Sequence, residues 1–251
     1  MENKNRPSLE NLVDSGDLVL ESLHPGGLEI TRELAELCHV TKGATVLDVA
    51  SGTGESACYL AERYDCRMVG VDLSDYMVQK AQRKAREKNL DIRFTIGDAH
   101  RLPFEADLFD AVISECTVCL LNKERVISEM VRVARHGGYV GTHDICWKEN
   151  TPAILKQRLV DIEGERPETI NGWRTLFESA GLVDVRTVDK SHLISLWTKE
   201  IKRDLGLTGF IRIALKAVTR WGIAGLRDIL ESDRIFRSGH TGYGIIVGRK
   251  P

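Results

Sequence analysis

The feature that most constrains the fold is a regular alternation of short apolar runs with amphipathic stretches along residues 28–144. Short runs of branched residues are typical of buried strands, whereas apolar residues spaced three and four apart are typical of helices. Strands that alternate with helices at this spacing need right-handed crossovers, which give a parallel sheet covered on both faces. The pattern predicts strands at 45–49, 67–71, 92–96, 111–114 and 139–144, helices at 28–38, 55–64, 74–88 and 123–134, and a turn at 136–138.

The part of the chain after residue 150 is less regular. A helix is predicted before Gly181, a strand after it, and a last strand near the C-terminus. Between these two strands, three segments with helical spacing indicate an insertion that forms a lid or an acceptor pocket, in which aromatic residues line the pocket or pack into the core. We therefore expect a lead-in over residues 1–27 and one domain over 28–251, with the insertion at 196–237 built from helices 196–205, 210–219 and 223–235.

Composition argues against several classes of protein. The formal net charge is −2, from 35 basic and 37 acidic residues, and no long run of one charge marks a nucleic-acid-binding arm. The basic residues of the insertion are typical of a solvated helix face. The run 18–20 is too short for a signal peptide or a membrane span, so we expect a cytoplasmic protein without a nucleic-acid partner. Its six cysteines are then reduced thiols.

A glycine-containing loop, VLDVASGTG at 46–54, connects the first predicted strand to a helix. Glycine lets a ligand approach the backbone closely, and the free amides at a helix start bind polar groups of nucleotide-type ligands. Asp72 ends the second strand, the position from which a carboxylate accepts both ribose hydroxyls. The dinucleotide fingerprint G-x-G-x-x-G has Ala57 at its third glycine, and since alanine can substitute there, the loop alone leaves an oxidoreductase open.

Segments after the glycine loop indicate a family more specifically than the loop alone. The chain contains, in this order, the segments VLDVASGTG, VGVDLS, GDAHRLPF, FDAVIS and RVARHGGYV. Together they resemble the class I S-adenosylmethionine-dependent methyltransferases, in the broad group that includes quinone, sterol and arsenite methyltransferases. The resemblance covers residues 28–145 and favours methyl transfer over oxidoreduction. It implies an α/β fold with a doubly wound, seven-stranded, mostly parallel sheet and an antiparallel last strand. It also implies S-adenosylmethionine as cofactor and a small molecule as methyl acceptor.

The resemblance assigns residues to the cofactor. Asp48, Gly52 and Gly54 match the loop around its methionine part, and Ala50 stands where the family usually has its first glycine. Asp72 matches the ribose ligand, and Leu73 matches the residue beside the adenine. Asp98 and Ala99 match the pair at the adenine edge, although turn capping is an alternative role for Asp98. The full set expected at the cofactor is Asp48, Ala50, Ser51, Gly52, Gly54, Asp72, Leu73, Asp98, Ala99 and Glu115.

Candidate catalytic residues follow the fourth and fifth strands, because ligands of open α/β sheets bind at the carboxyl ends of the strands. Methyl transfer proceeds largely through proximity, and it needs a base only when the acceptor must lose a proton. Glu115, His143 and Asp144 are the acid and base candidates, and ordinary loop hydrogen bonding is an equal alternative.

Three cysteines lie near the same strand ends. Cys116, Cys119 and Cys146 could converge as thiolates on a soft ion or a metalloid, whereas small core residues are the more usual role of cysteine. The longer cysteine pattern of arsenite methyltransferases is absent. Four functions remain open: carbon methylation of a lipid-like ring, N- or O-methylation, thiol-assisted metalloid methylation, and a non-catalytic cofactor-binding module. The sequence leaves the oligomeric state open.

Overall fold

The computed structural model describes residues 25–251, apart from the side chains of residues 195–205, 207 and 210. Its strands are β1 (Thr45–Val49), β2 (Arg67–Asp72), β3 (Arg93–Ile96), β4 (Phe109–Glu115), β5 (Ala134–Trp147), β6 (Glu168–Thr169), β7 (Val183–Asp189) and β8 (Thr241–Arg249). Its helices are α1 (Gly27–Leu37), α2 (Glu55–Tyr64), α3 (Asp75–Glu87), α4 (Lys123–Val133), α5 (Ala153–Glu163), α6 (Ile170–Ser179) and α7 (His192–Phe236). A short 3-10 helix, Val118–Leu120, follows β4.

The chain forms two compact units. The sheet unit comprises Leu28–Asp144, Ile170–Asp189 and Gly244–Pro251. The helical unit comprises Ile145–Thr169 and Lys190–Tyr243, together with residues 25–27. Most of the predicted lead-in, residues 1–24, lies outside the described residues, and the single domain expected from residue 28 stays a prediction.

The sheet follows the order β3-β2-β1-β4-β5-β8-β7, and β6 pairs with β5 beside this path. Pairing is parallel from β3 through β5, and β7 pairs antiparallel with β8. Residues 46–49 of β1 and 111–114 of β4 are all buried, as expected for central strands of a parallel sheet covered on both faces. The predicted fold class is therefore confirmed, with the two-residue β6 as an addition.

Polar side chains begin two of the helices that cover this sheet. Ser74 accepts a hydrogen bond from the amide of Met77 at the start of α3, and Asn122 accepts one from the amide of Arg125 at the start of α4. Each cap satisfies an amide that has no partner inside its helix. The two caps define where α3 and α4 begin. They thereby hold the loops that follow β2 and β4 at the carboxyl edge of the sheet.

The predicted helical insertion is present as α7. Backbone angles leave the helical region at Gly206 (φ 55°, ψ −174°) and Gly222 (φ 72°, ψ −170°), so three helical segments follow one another. These breaks fall between the three predicted segments, because glycine adopts the left-handed region without the steric cost that other residues meet. The role of residues 196–237 as a lid or an acceptor pocket stays a prediction. Of the aromatic residues expected there, Trp197 and Phe210 lie outside the described side chains.

Two local differences from the sequence pattern have physical reasons. The predicted turn at 136–138 lies inside β5, where the amide of Gly137 (φ 76°) donates to Lys250 O and the amide of Lys250 donates to Gly138 O. Helix α5 was not predicted, because its apolar residues do not form one stripe: Leu159 is buried whereas Ile154 is 67% exposed.

Among the described residues, no helix is both long and apolar enough to cross a membrane.

Candidate functional site

Three acidic residues meet at the carboxyl edge of the sheet. Asp48 lies on β1 opposite Gly70 of β2 and Ile113 of β4. Asp72 ends β2, and Glu115 ends β4. Because β2, β1 and β4 are neighbours and parallel, their carboxyl ends lie along one edge. The strand order thus brings together residues that are far apart in the sequence.

The loop after β1 is held by backbone hydrogen bonds. The amide of Ser51 donates to Val71 O at 3.0 Å, and the amide of Gly54 donates to Ser51 O at 2.9 Å. Gly52 and Gly54 both have left-handed backbones, with φ of 51° and 74°. A Cβ on Gly52 would meet open space, whereas a Cβ on Gly54 would lie 2.8 Å from the Ala81 side chain. Gly54 is therefore required by packing, and Gly52 leaves its side of the loop open.

Ala50 is the departure from the family's glycine pattern, and its backbone is left-handed, with φ of 59°. An L-residue other than glycine is disfavoured in this region, because its Cβ crowds the following carbonyl oxygen. The loop therefore keeps the conformation that a glycine would adopt, at some conformational cost.

Asp72 fixes the position of this loop. Its Oδ2 accepts a hydrogen bond of 2.9 Å from the amide of Gly52, and its Oδ1 accepts one of 2.8 Å from the amide of Ser74. One carboxylate thereby connects the glycine loop to the start of α3. Each carboxylate oxygen has a second lone pair, so these bonds leave Asp72 able to accept further hydroxyl donors.

Asp48 is buried, with 3% of its surface exposed. Its Oδ2 has no hydrogen-bond partner among the residues that the structure describes, and the same holds for Ser51 Oγ nearby in the chain. Burial raises the pKa of Asp48 well above its usual value, and the negative charges of Glu115 and Asp72 raise this pKa further. An acidic group in such surroundings favours a positively charged ligand, which would stabilise its ionised form.

Glu115 is held by two hydroxyl groups from different helices. Its Oε2 accepts a hydrogen bond of 2.7 Å from Ser56 Oγ of α2 and one of 3.0 Å from Thr31 Oγ1 of α1. Neither Thr31 nor Ser56 was predicted from the sequence to belong to the site. Thr31 is fully buried, and its neighbours Ile30 and Leu34 on the apolar face of α1 are also buried. A hydroxyl at such a position needs a hydrogen-bond partner, and this was the sequence signal that could have identified Thr31.

His143 lies directly opposite Glu115 across β4 and β5, so the two side chains share one face of the sheet. His143 is fully buried. Its carbonyl accepts a hydrogen bond of 2.7 Å from the amide of Cys116, and its Nδ1 lies 3.9 Å from Cys116 Sγ. Cys116 also has a left-handed backbone, with φ of 52°. This arrangement brings together two of the predicted catalytic residues, Glu115 and His143.

Asp144 is the next residue along β5, and adjacent residues of a strand point to opposite faces. Its Oδ2 accepts a 3.2 Å hydrogen bond from the amide of Cys119 in the 3-10 helix. The third catalytic candidate is therefore placed away from the face that carries Glu115 and His143, and it supports the loop after β4.

Comparison with known proteins identifies the family. Residues 46–138 match a family model described as "Methyltransferase domain". An uncharacterised protein of Haemophilus influenzae is 30% identical over 209 residues, which cover 79% of this chain and 82% of the relative. The chain belongs to the class I S-adenosylmethionine-dependent methyltransferases. The resemblance noted in the sequence is thus confirmed, and the protein is a methyltransferase whose cofactor is S-adenosylmethionine.

Two further comparisons bear on this methyltransferase. Phosphoethanolamine N-methyltransferase 1 of Triticum aestivum is 29% identical over 189 residues, which cover 73% of this chain but 36% of the relative. The chain thus spans about a third of the length of that relative. The crystal structure of the [4+2]-cyclase SpnF superposes with a TM-score of 0.72 at 24% identity, covering 89% of this chain and 80% of SpnF. At this identity the likeness concerns the fold.

The residues at the carboxyl edge of the methyltransferase fit its cofactor. S-adenosylmethionine carries a positive sulfonium and a positive ammonium, and both charges complement the carboxyl groups of Asp48, Asp72 and Glu115. The buried Asp48 Oδ2, without a partner among the described residues, supplies an acceptor for such a ligand. The open side of Gly52 provides room beside these acids.

The residues predicted to contact the adenine differ in their exposure and in their hydrogen bonds. Leu73 is 67% exposed directly after Asp72, and Ile96, which pairs with Asp72 across β2 and β3, is also exposed. Exposed apolar side chains at this edge can cover a flat ring. Asp98 instead caps a turn, since its Oδ1 accepts from the amide of His100 at 2.8 Å, and this hydrogen bond lowers its pKa. Its contact with adenine, like that of Ala99, stays a prediction.

The cysteines give the metalloid hypothesis no support. All six are free thiols, and burial raises the pKa of several of them, including that of Cys66 to about 11. Within the described part of the chain, no group of three or more His, Cys, Asp or Glu side chains could hold a metal ion. Cys116 and Cys119 belong to the sheet unit, whereas Cys146 belongs to the helical unit.

Proposed function

We propose that this methyltransferase N-methylates a small amine at the carboxyl edge of β4 and β5. The observation that carries the proposal is the cluster of Asp48, Asp72 and Glu115, in which Asp48 Oδ2 is buried without a hydrogen-bond partner among the described residues. Acidic groups attract both the cationic cofactor and an amine, which is itself cationic before it loses a proton. The similarity to a protein named phosphoethanolamine N-methyltransferase supports the same class of acceptor.

Each residue of the proposed site has a defined task. Asp72 holds the glycine loop and accepts the ribose hydroxyls, while Asp48 and Glu115 balance the positive charge of the cofactor. When bound, S-adenosylmethionine supplies a methyl group that its positive sulfur activates. An ammonium acceptor must lose a proton before its nitrogen can attack, and His143 takes this proton through an imidazole nitrogen. The full burial of His143 keeps water from competing for the same position.

The roles at the cofactor are tested by calorimetric titration with S-adenosylmethionine and, separately, with NADH. Asp48→Asn and Asp72→Asn should each weaken binding of S-adenosylmethionine by tenfold or more, since loss of a hydrogen bond to a charged group costs about 1.5–3 kcal/mol. Asp65→Asn is the matched control, because Asp65 is exposed at the end of α2 and pairs with Lys42. Unchanged binding in both site variants would contradict the proposed cofactor site, and binding of NADH instead would indicate an oxidoreductase.

The acceptor is tested by transfer of labelled methyl groups from S-adenosylmethionine to phosphoethanolamine and sarcosine, with a quinone and arsenite as alternatives. We expect amines alone to be methylated, and His143→Gln to reduce turnover by about 10²-fold with little change in cofactor affinity. Methylation of the quinone or of arsenite, without methylation of amines, would contradict this acceptor class.

We also propose that the protein acts in the cytoplasm. The support is its six cysteines, which form no disulfide among the described residues and so suit a reducing compartment. The absence of a nucleic-acid partner remains a prediction from the balanced charge of the sequence.

A further inference from the structure

The middle segment of α7, between Gly206 and Gly222, is apolar on two faces. Ile213 and Ala217 are buried on one face. On the other, Ile211, Leu215 and Val218 are 51%, 62% and 37% exposed, and we call these three residues the apolar stripe. Their spacing of four and three residues aligns them along the helix. A solvated helix face would carry polar residues at these positions, so the apolar stripe needs another explanation.

The charge of the same segment is one-sided. No Asp or Glu occurs between Gly206 and Gly222, whereas Arg212, Lys216 and Arg220 lie in this segment. Arg212 and Lys216 are exposed, and each follows a residue of the apolar stripe by one position. One position corresponds to about 100° around a helix, so the two cations lie along one side of the stripe.

We propose that this face of α7 docks the methyltransferase onto the surface of a bilayer that contains anionic phospholipids. An exposed apolar stripe bordered by Arg and Lys is the pattern of helices that lie in the membrane interface, with apolar side chains among the acyl chains and cations at the phosphates. Arg and Lys have long side chains that keep their charged ends at the head groups while the helix lies deeper. Such docking needs no membrane-spanning segment.

A second copy of the chain fits this surface less well. Two such faces would bring Arg212 and Lys216 of both copies together, and no acidic residue of the segment could compensate their repulsion. The apolar stripe has three residues, while a stable protein interface involves about 20–30 residues on each side. Negatively charged lipid complements the same surface without either difficulty.

The proposal is tested by co-sedimentation of the full chain with vesicles of phosphatidylcholine, with and without phosphatidylserine. We expect binding to the mixed vesicles only, and weaker binding as salt rises, because salt screens the attraction to the lipid. Replacing Arg212 and Lys216 with Gln should lower the partition coefficient by about fivefold for each charge removed. The double variant Ile211→Ser, Leu215→Ser should abolish binding.

The matched control is Ile154→Ser, which removes an equally exposed apolar residue from α5 of the helical unit and should leave vesicle binding unchanged. Binding of S-adenosylmethionine, which should be unchanged in every variant, shows that the protein is folded and separates this proposal from the proposed function. Failure to bind mixed vesicles, or undiminished binding of the stripe variant, would overturn the proposal. So would a dimer that dissociates in the stripe variant and does not bind lipid.

Discussion

Ser56 Oγ donates a 2.7 Å hydrogen bond to Glu115 Oε2, which connects the start of α2 to the end of β4 across 59 positions of the chain. Thr31 Oγ1 donates to the same oxygen at 3.0 Å. Two hydroxyl groups therefore hold one carboxylate next to the glycine loop. The position of Glu115 depends on both helices, and the cofactor site depends on their packing.

The hydrogen bond from Ser56 gives the first prediction. Ser56→Ala should lower the free energy of unfolding by about 1.5 kcal/mol, the lower end for a hydrogen bond to a charged group, since Thr31 still supports Glu115. Denaturant unfolding measures this loss, and titration with S-adenosylmethionine should show weaker binding in the same variant. Ser56→Thr keeps the hydroxyl and should retain most of the wild-type stability. If Ser56→Thr were as unstable as Ser56→Ala, packing rather than the hydrogen bond would be responsible.

The two loop glycines give the second prediction, because they share a left-handed backbone but differ in surroundings. Gly52→Ala should cost about 0.5–1 kcal/mol of stability, because its Cβ enters open space and about 1–2 kcal/mol of backbone strain is partly offset by the lower entropy that alanine gives the unfolded chain. Gly54→Ala should cost roughly 1–4 kcal/mol, because the same strain is joined by overlap with Ala81 and Phe94 at 2.8 Å. Comparing the unfolding free energies of the two variants tests this order. Equal losses would mean that the neighbours of Gly54 move aside.

Local patterns explain why much of the fold was predictable from the sequence. The apolar runs at 46–49 and 111–114 mark central strands because both of their faces are buried, and Gly206 and Gly222 interrupt α7 between the predicted segments. Helix α5 was missed although Pro152 precedes it and Gly164 (φ 82°) ends it, because Ile154 lies outside its buried face.

The site was predictable only in part. Asp48 and Asp72 lie in local motifs, whereas the contact of Thr31 with Glu115 joins residues 84 positions apart, and no local pattern reports it. His143 and Asp144 are a different case. Adjacent strand residues face opposite ways, so the sequence could have separated the two roles that the structure separates.

The third prediction concerns Ala50, whose backbone is left-handed at φ 59°. Ala50→Gly should stabilise the protein by about 0.5–1 kcal/mol, because relief of about 1–2 kcal/mol of strain exceeds the greater entropy that glycine gives the unfolded chain. Denaturant unfolding is the measurement. Ala44→Gly is the control: Ala44 has no left-handed backbone, so this variant should lose about 0.4–1 kcal/mol. A loss in both variants would show that the loop accommodates Ala50 without strain.

The last prediction concerns the pH dependence of stability in the helical unit. Burial raises the pKa of Glu163 to about 7 from the model-peptide value of 4.5, with the charge of Asp228 adding to the shift and a hydrogen bond with Ser232 opposing it. The folded protein therefore holds a proton on Glu163 between these two pH values, whereas the unfolded chain has released it. The contribution of Glu163 to the free energy of unfolding is complete below pH 4.5 and is lost as the pH rises to about 7.

Glu163→Gln should remove this decrease, because glutamine stays neutral at every pH and can still hydrogen-bond with Ser232. Unfolding free energies of wild type and variant, measured from pH 5 to pH 8, should converge at the acidic end and favour the variant at the basic end. Replacement of the exposed Glu149 by Gln should leave the wild-type slope in place. A wild-type slope that persists in Glu163→Gln would assign the pH dependence to another group, whereas its loss would locate a proton-binding site between α5 and α7.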